Sequence, residues 1–161
     1  MLQPEIEINL KHLRENYRFL QSKVGLVKVM GVVKADAYGH GILPIATVLA
    51  ELGMHGFCVA LVSEAQELIE GDINNPILHL GKLSEDQLHI YKNRQVRCTI
   101  NSIEDIDIVE NFGCMNNAHI RAHLKVDTGM GRLGVRTDEL DNLILLIYHS
   151  NKYVAKMKLK Q

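Results

Sequence analysis

Short unbroken apolar runs alternate along this chain with longer stretches in which apolar residues recur at helical spacing. The first run, Leu26 to Val33, is interrupted only by Lys28 and predicts a buried strand that ends on Lys34. Before it, Glu5 to Asn9 alternates as a short strand would. Asn9 is placed to cap a helix carrying Leu10, Leu13, Tyr17 and Leu20, with Gly25 as its terminator. Beyond Lys34 come a short polar turn, Tyr38, a Gly39-His40-Gly41 segment able to take unusual backbone angles, and a helix marked by Ile42, Ile45, Leu49 and Leu52 and ended by Gly53.

The same alternation then repeats. Strands are predicted over Phe57 to Val62, Ile77 to Leu80, Val96 to Ile100 and His119 to Val126. Between them, Ser63-Glu64-Ala65-Gln66 and Ser84-Glu85-Asp86-Gln87 read as capping boxes, Ser102 starts a helix carrying Ile106 and Val109, and Gly71 and Gly113 read as helix ends. Thr137 is placed to cap a last helix with Leu140, Leu143, Ile144 and Ile147. Strands alternating with capped helices argue for βαβ units and a parallel sheet, with units beginning near residues 27, 56, 76, 96 and 118. A closed (β/α) barrel needs eight such units and about 250 residues, so length alone favours an open sheet.

The strand around His119 to Asp127 argues the other way. Ile120, Ala122, Leu124 and Val126 form one face, and Arg121, His123, Lys125 and Asp127 form the other. A central strand of a doubly wound sheet is covered by helices on both faces and should be apolar on both. In a barrel, the apolar set can face the outer helices while the polar set points into the interior and its rim. The bland alternative is a solvated edge strand.

Composition changes this picture little. The chain has 161 residues, is 47% hydrophobic and 23% charged, and has a formal net charge of -1, so no global field would draw it to nucleic acid or an anionic membrane. A small molecule is the expected partner. Cys58, Cys98 and Cys114 form no C-x-x-C pair, which suits a reducing cytoplasm and packing roles, and the histidines show no metal-ligand spacing. The amino terminus shows no signal-peptide pattern and no run is long enough for a membrane helix.

Gly129-Met130-Gly131-Arg132-Leu133-Gly134 matches G-x-G-x-x-G, the dinucleotide fingerprint. Its context counts against that reading: the preceding strand is charged, and the next helix is expected only at Thr137 rather than within the glycines.

Two longer motifs are more specific. Val33-Lys34-Ala35-Asp36-Ala37-Tyr38-Gly39-His40-Gly41 resembles the cofactor-lysine motif of alanine racemases. Lys125-Val126-Asp127-Thr128-Gly129-Met130-Gly131-Arg132-Leu133-Gly134 resembles that family's second hallmark, and the likeness runs from about Glu5 to His149. It implies a partial (β/α)8 TIM-type barrel of about five βα units that binds pyridoxal 5'-phosphate and serves racemisation of L- and D-alanine. By the resemblance, Lys34 is the Schiff-base lysine and the base for the D-enantiomer, and Tyr38 contacts the cofactor phosphate. Arg132 approaches the cofactor's phenolic oxygen and the substrate carboxylate, and Lys125 is a lysine that becomes carbamylated. His40 is expected to be structural.

The family continues past this chain into further barrel strands and a carboxyl-terminal β domain, and its full-length members are expected to be homodimers. Residues 1–161 therefore read as an incomplete barrel domain, with Tyr153 to Gln161 forming at most a short exposed strand. Little racemase activity is expected of these residues alone. The alternative is a non-catalytic remnant, or a cofactor-binding or interaction protein that keeps the motif.

Overall fold

In the computed structural model, which describes residues 6–93 and 95–149, parallel strands follow one another around a single sheet. The strands are β1 (Met30–Val32), β2 (Gly56–Val59), β3 (Ile77–His79), β4 (Val96–Ile100) and β5 (Ala122–Leu124). Their order in the 5-stranded sheet is β1-β2-β3-β4-β5, and every pairing is parallel. A doubly wound sheet reverses direction at a switch point, whereas a barrel adds each strand beside the last. The uninterrupted order is that of a barrel arc, as the charged strand suggested.

The connecting segments are α1 (Leu10–Val24), α2 (Lys34–Gly39), α3 (Ile42–Glu51), α4 (Val62–Glu70), a 3-10 helix (Glu85–Lys92), α5 (Ile103–Asn116) and α6 (Leu140–His149). Register explains how the sheet meets them. Phe57, Ile77 and Val96 are aligned across β2, β3 and β4, and each is fully buried in the hydrophobic core. Each such side chain contributes about 1.5 to 3 kcal/mol on burial. The alternate row, Val32, Cys58, Leu78 and Arg97, occupies the other side of the sheet, where Val32 is 46% exposed. In β5 the expected split holds: Ala122 and Leu124 pack against the core, Ile120 just before them is buried, and His123 meets Arg97 on the opposite face.

Several local expectations need correction. Ile6 to Asn9 form no strand; no described strand pairs with them, and Ile6 is exposed. Asn9 does cap α1, its side-chain oxygen accepting from the amides of Lys11 and His12, and Gly25 does end it at φ 62. The first strand is only Met30–Val32, with Leu26 and Val27 exposed. Helix α4 starts after Leu61, so Ser63 lies inside it and only Glu64 performs its part of the box. Ser84 opens a 3-10 helix without capping it; its hydroxyl turns to Asp86 instead. Ser102 caps α5, but that helix runs through a buried Gly113 and ends at Asn117, which takes the left-handed conformation at φ 47. Helix α6 begins at Leu140, later than a Thr137 cap would place it. Tyr153 to Gln161 lie outside the described residues.

Candidate functional site

Lys34 opens α2 at the carboxyl end of β1, directly after the buried Val33, whose amide extends the ladder to the Cys58 carbonyl at 2.9 Å. The turn that follows is the unusual feature. Ala35, Asp36, Ala37 and Tyr38 have φ between 50 and 57, so four successive non-glycine residues wind left-handed. Left-handed backbone costs an L-residue roughly 1 to 2 kcal/mol. The sequence placed unusual angles at Gly39 and Gly41, which do have φ of 81 and 87, but the strain begins earlier.

Fixed partners hold the turn. The Ala37 amide donates to the Val33 carbonyl at 2.9 Å. The Asp36 carboxylate accepts from the Ile42 amide at 2.7 Å, which satisfies an orphan donor at the start of α3 in place of a cap at Gly41. The Ala35 amide donates to Glu64 Oε1 at 2.5 Å, while Glu64 Oε2 accepts from the amides of Ala60 and Leu61 at 2.8 and 3.0 Å. Glu64 is only 9% exposed, so these donors replace the water its carboxylate gives up. His40 Nδ1 donates to the Tyr38 carbonyl at 3.1 Å, within its own turn.

The second motif is built at the same edge of the sheet. Lys125 follows β5 directly, and β6 (Val126–Asp127) pairs in parallel with β7 (Val135–Arg136) through a Val135 amide that donates to the Lys125 carbonyl at 2.8 Å. The loop between them wraps the Asp127 carboxylate, which accepts from the amides of Gly129 and Gly131 at 3.0 Å and is thereby held below the usual carboxylate range. The glycine run thus ends in a strand, and no helix N-terminus is offered to a pyrophosphate, which removes the dinucleotide reading.

Lys34 and Lys125 therefore share the carboxyl-terminal rim on the outer strands β1 and β5 of the 5-stranded sheet. Four strand spacings measure about 19 Å along a sheet. Tyr38 is 61% exposed rather than a core residue, and Arg132 is exposed on its loop. Among the described residues, no hydrogen bond or ion pair joins the side chains of Lys34, Tyr38, Lys125 and Arg132 to one another. Below the rim, Arg97 Nη1 donates to His123 Nε2 at 3.3 Å while Arg97 Nε has no partner among the described residues; burial, then the Arg97 charge, lowers the His123 pKa. A surface groove of about 590 Å³ between α4 and the 3-10 helix, lined by Gln66, Glu70, Asp86 and His89 among others, contains none of these residues.

Glu64 and Asp36 were not singled out for the site. Glu64 carried a signal, its place in a capping pattern, but nothing in sequence spacing showed that it reaches Ala35. The thiols are free: Cys58 and Cys98 are buried, whereas Cys114 is exposed and is not the packing residue expected. No group of metal-ligating side chains occurs among the described residues, and none of their helices is long and apolar enough to cross a membrane.

Known proteins resemble this chain in sequence and fold. The chain matches the family described as alanine racemase, N-terminal domain, over residues 8–158. It is 40% identical over 134 residues to the alanine racemase of Desulforamulus reducens, covering 83% of this chain and 36% of that protein. With the alanine racemase of Sorangium cellulosum it shares 37% identity over 145 residues, covering 86% of this chain and 38% of the relative. The solved alanine racemase of Clostridium difficile 630 in complex with cycloserine superposes with a TM-score of 0.82 at 29% identity, covering 91% of this chain and 40% of that one. The chain thus spans well under half the length of these relatives. A match over nearly its whole length and a barrel arc with lysine-bearing strand ends place it in the alanine racemase family, within the amino-terminal domain.

Proposed function

We propose that this chain supplies the cofactor-lysine region of a pyridoxal 5'-phosphate-dependent alanine racemase, acting on alanine in the cytoplasm within a full-length homodimer. Neither nucleic acid nor a membrane is a proposed partner. The observation that carries the reading is Lys34 itself: a partly buried amine at a strand's carboxyl end, on a turn fixed by Glu64 and Asp36 and in no ion pair among the described residues. An amine free of a carboxylate partner is available to a carbonyl ligand.

The donor set suits the cofactor's chemistry. Tyr38 offers an exposed hydroxyl to a phosphate oxygen, and Arg132 offers a planar fork of donors to a phenolic oxygen or a substrate carboxylate. When bound, pyridoxal phosphate serves as an electron sink that acidifies the α-proton of an amino acid. Lys34 would hold the cofactor and, once released, move the D-side proton at Nζ, already positioned by the rigid turn. Carbamylation of Lys125 would convert a cation near the loop of Arg132 into an anion and ease like-charge crowding.

The deciding experiment is trapping with borohydride. After incubation with pyridoxal phosphate, the protein should gain one reduced pyridoxyl group, located at Lys34 by peptide mapping and absent from Lys34→Ala. Labelling that survives Lys34→Ala unchanged would refute the assignment.

A further inference from the structure

Behind the Lys34 turn lies a buried titratable pair that the proposed chemistry does not use. His79 is 2% and Tyr91 1% exposed, on β3 and the 3-10 helix. His79 Nε2 is 3.0 Å from the Ala60 carbonyl, and its Nδ1 is 2.7 Å from the Tyr91 hydroxyl. A carbonyl can only accept, so Nε2 carries the proton; Nδ1 then has a lone pair, and Tyr91 is the donor. The His79 carbonyl in turn accepts from the Thr99 hydroxyl at 2.6 Å. Every polar atom of the imidazole is satisfied in one tautomer of the neutral ring.

Ala60 is where this pair meets the site. Its carbonyl is held by His79, while its amide and that of Leu61 are held by Glu64, whose other oxygen holds the Ala35 amide beside Lys34. Packing leaves little slack: a Cβ on Gly81 would lie 2.5 Å from the Ala60 oxygen and 2.6 Å from His79 Nε2. We propose that His79 is a positioning residue for Lys34, acting as a neutral ring between Tyr91 and the Ala60 carbonyl so that Glu64 and the Ala35 amide stay in register. The link to Lys34 chemistry rests on the cofactor reading above; the link to Ala35 does not.

The relay should be sensitive to acid. A second ring proton would sit on Nδ1, facing the Tyr91 hydroxyl that now donates to it. Burial is the largest influence on His79 and lowers its pKa, against smaller opposing effects of the Ala60 carbonyl and the Glu64 charge. The groups facing His79 are Glu64 of α4 and Tyr91 of the 3-10 helix, with Cys98 of β4 and Asp105 of α5 acting on Tyr91. Because the folded-state value is depressed, the neutral relay is intact above the ordinary histidine value of about 6.5 and is lost as pH falls through the lower one.

The test is amide exchange at Ala35, Ala60 and Leu61, measured as protection relative to intrinsic rates from about pH 7.5, above the ordinary histidine value, downward through the acid range. Wild type should lose protection at Ala35 as pH falls through the depressed His79 value. His79→Gln can still donate to Ala60 and accept from Tyr91, so it should keep protection across that range and lose the pH dependence. His79→Phe fills the space without either bond and should lower Ala35 protection about tenfold already at about pH 7.5. If His79→Phe fails to fold, Tyr91→Phe, which removes only the hydroxyl, should give an intermediate loss. Equal Ala35 protection in wild type and the folded phenylalanine variants would overturn the proposal, as would an unchanged acid response in His79→Gln. In parallel, the rate of borohydride-trapped pyridoxal phosphate labelling should fall in His79→Phe and be restored in His79→Gln. If wild type takes no label at Lys34, the cofactor reading fails while the exchange result still decides the relay.

Discussion

The amide of Ala35 donates to the carboxylate of Glu64, 29 residues further along the chain, at 2.5 Å. One buried carboxylate thus joins the lysine turn to the loop after β2. Glu64→Gln should be costly because the amide that replaces one oxygen would point N–H donors at backbone donors. A loss of about 2 kcal/mol is expected from leaving a buried donor unsatisfied. Equilibrium denaturation of the variant checks it, and a midpoint equal to wild type would show that the clamp carries no stability.

Opposite signs are expected from two neighbours in the left-handed turn. Asp36→Ala removes the acceptor for the Ile42 amide and should cost about 1 kcal/mol, as loss of a helix cap does. Ala35→Gly relieves an exposed residue at φ 53 while keeping its N–H, and should be neutral or stabilising by less than about 1 kcal/mol. Thermal melts of both variants test the pair, and a destabilising Ala35→Gly would show that the turn is not strained at that position.

Which features could be read in advance follows from what spacing encodes. Alternation along His119 to Asp127 separated the core-facing Ile120, Ala122 and Leu124 from His123, and the strand order then agreed with a barrel arc. Local caps at Asn9 and Ser102 were legible because donor and acceptor lie within one turn of each other. The Glu64 clamp and the His79 relay were not, since their partners lie 29 and 19 residues apart and meet only when strands align. The left-handed path of Ala35 to Tyr38 was also hidden, because alanine rarely adopts it and tertiary contacts impose it. The roles given to Lys34, Tyr38, Lys125 and Arg132 rested on motif resemblance, and alternation alone placed only Lys125, on the polar face of the charged strand.

Thiol chemistry should distinguish the three cysteines. Burial pushes the Cys98 thiol up to about 12 and also raises Cys58, so neither offers much thiolate near neutral pH. Cys114 is exposed on α5. Alkylation of the native protein near neutral pH should modify Cys114 first, with Cys58 and Cys98 following only on unfolding. Peptide mapping of the early product checks this, and early labelling of Cys98 would contradict the burial of β4.

At Gly134 backbone angle and space point the same way. Its φ is 115, and an added Cβ would lie 2.9 Å from the Asp127 amide and 3.0 Å from both Lys125 Cγ and the Lys125 carbonyl. Gly134→Ala should therefore cost about 2 kcal/mol or more and displace Lys125. Denaturation measures the first effect, and a fall in pyridoxal phosphate labelling at Lys34 would be read beside it.

The loop that bears Arg132 should loosen in acid through Asp127. The amides of Gly131 and then Gly129 hold this carboxyl below its ordinary value of 3.8, with the Lys125 charge a smaller contribution. For a depressed carboxyl the sign is fixed: its ordering effect is complete above the ordinary value and is lost as pH falls through the lower folded-state value. Protection of the Gly129 and Gly131 amides should therefore persist at neutral pH and decline only in strong acid. Asp127→Asn keeps one acceptor oxygen but no charge, so it should lower that protection at neutral pH and abolish the acid transition. Amide exchange or glycine amide shifts followed against pH would show the difference, and an acid transition that survives in Asp127→Asn would assign it to another carboxyl.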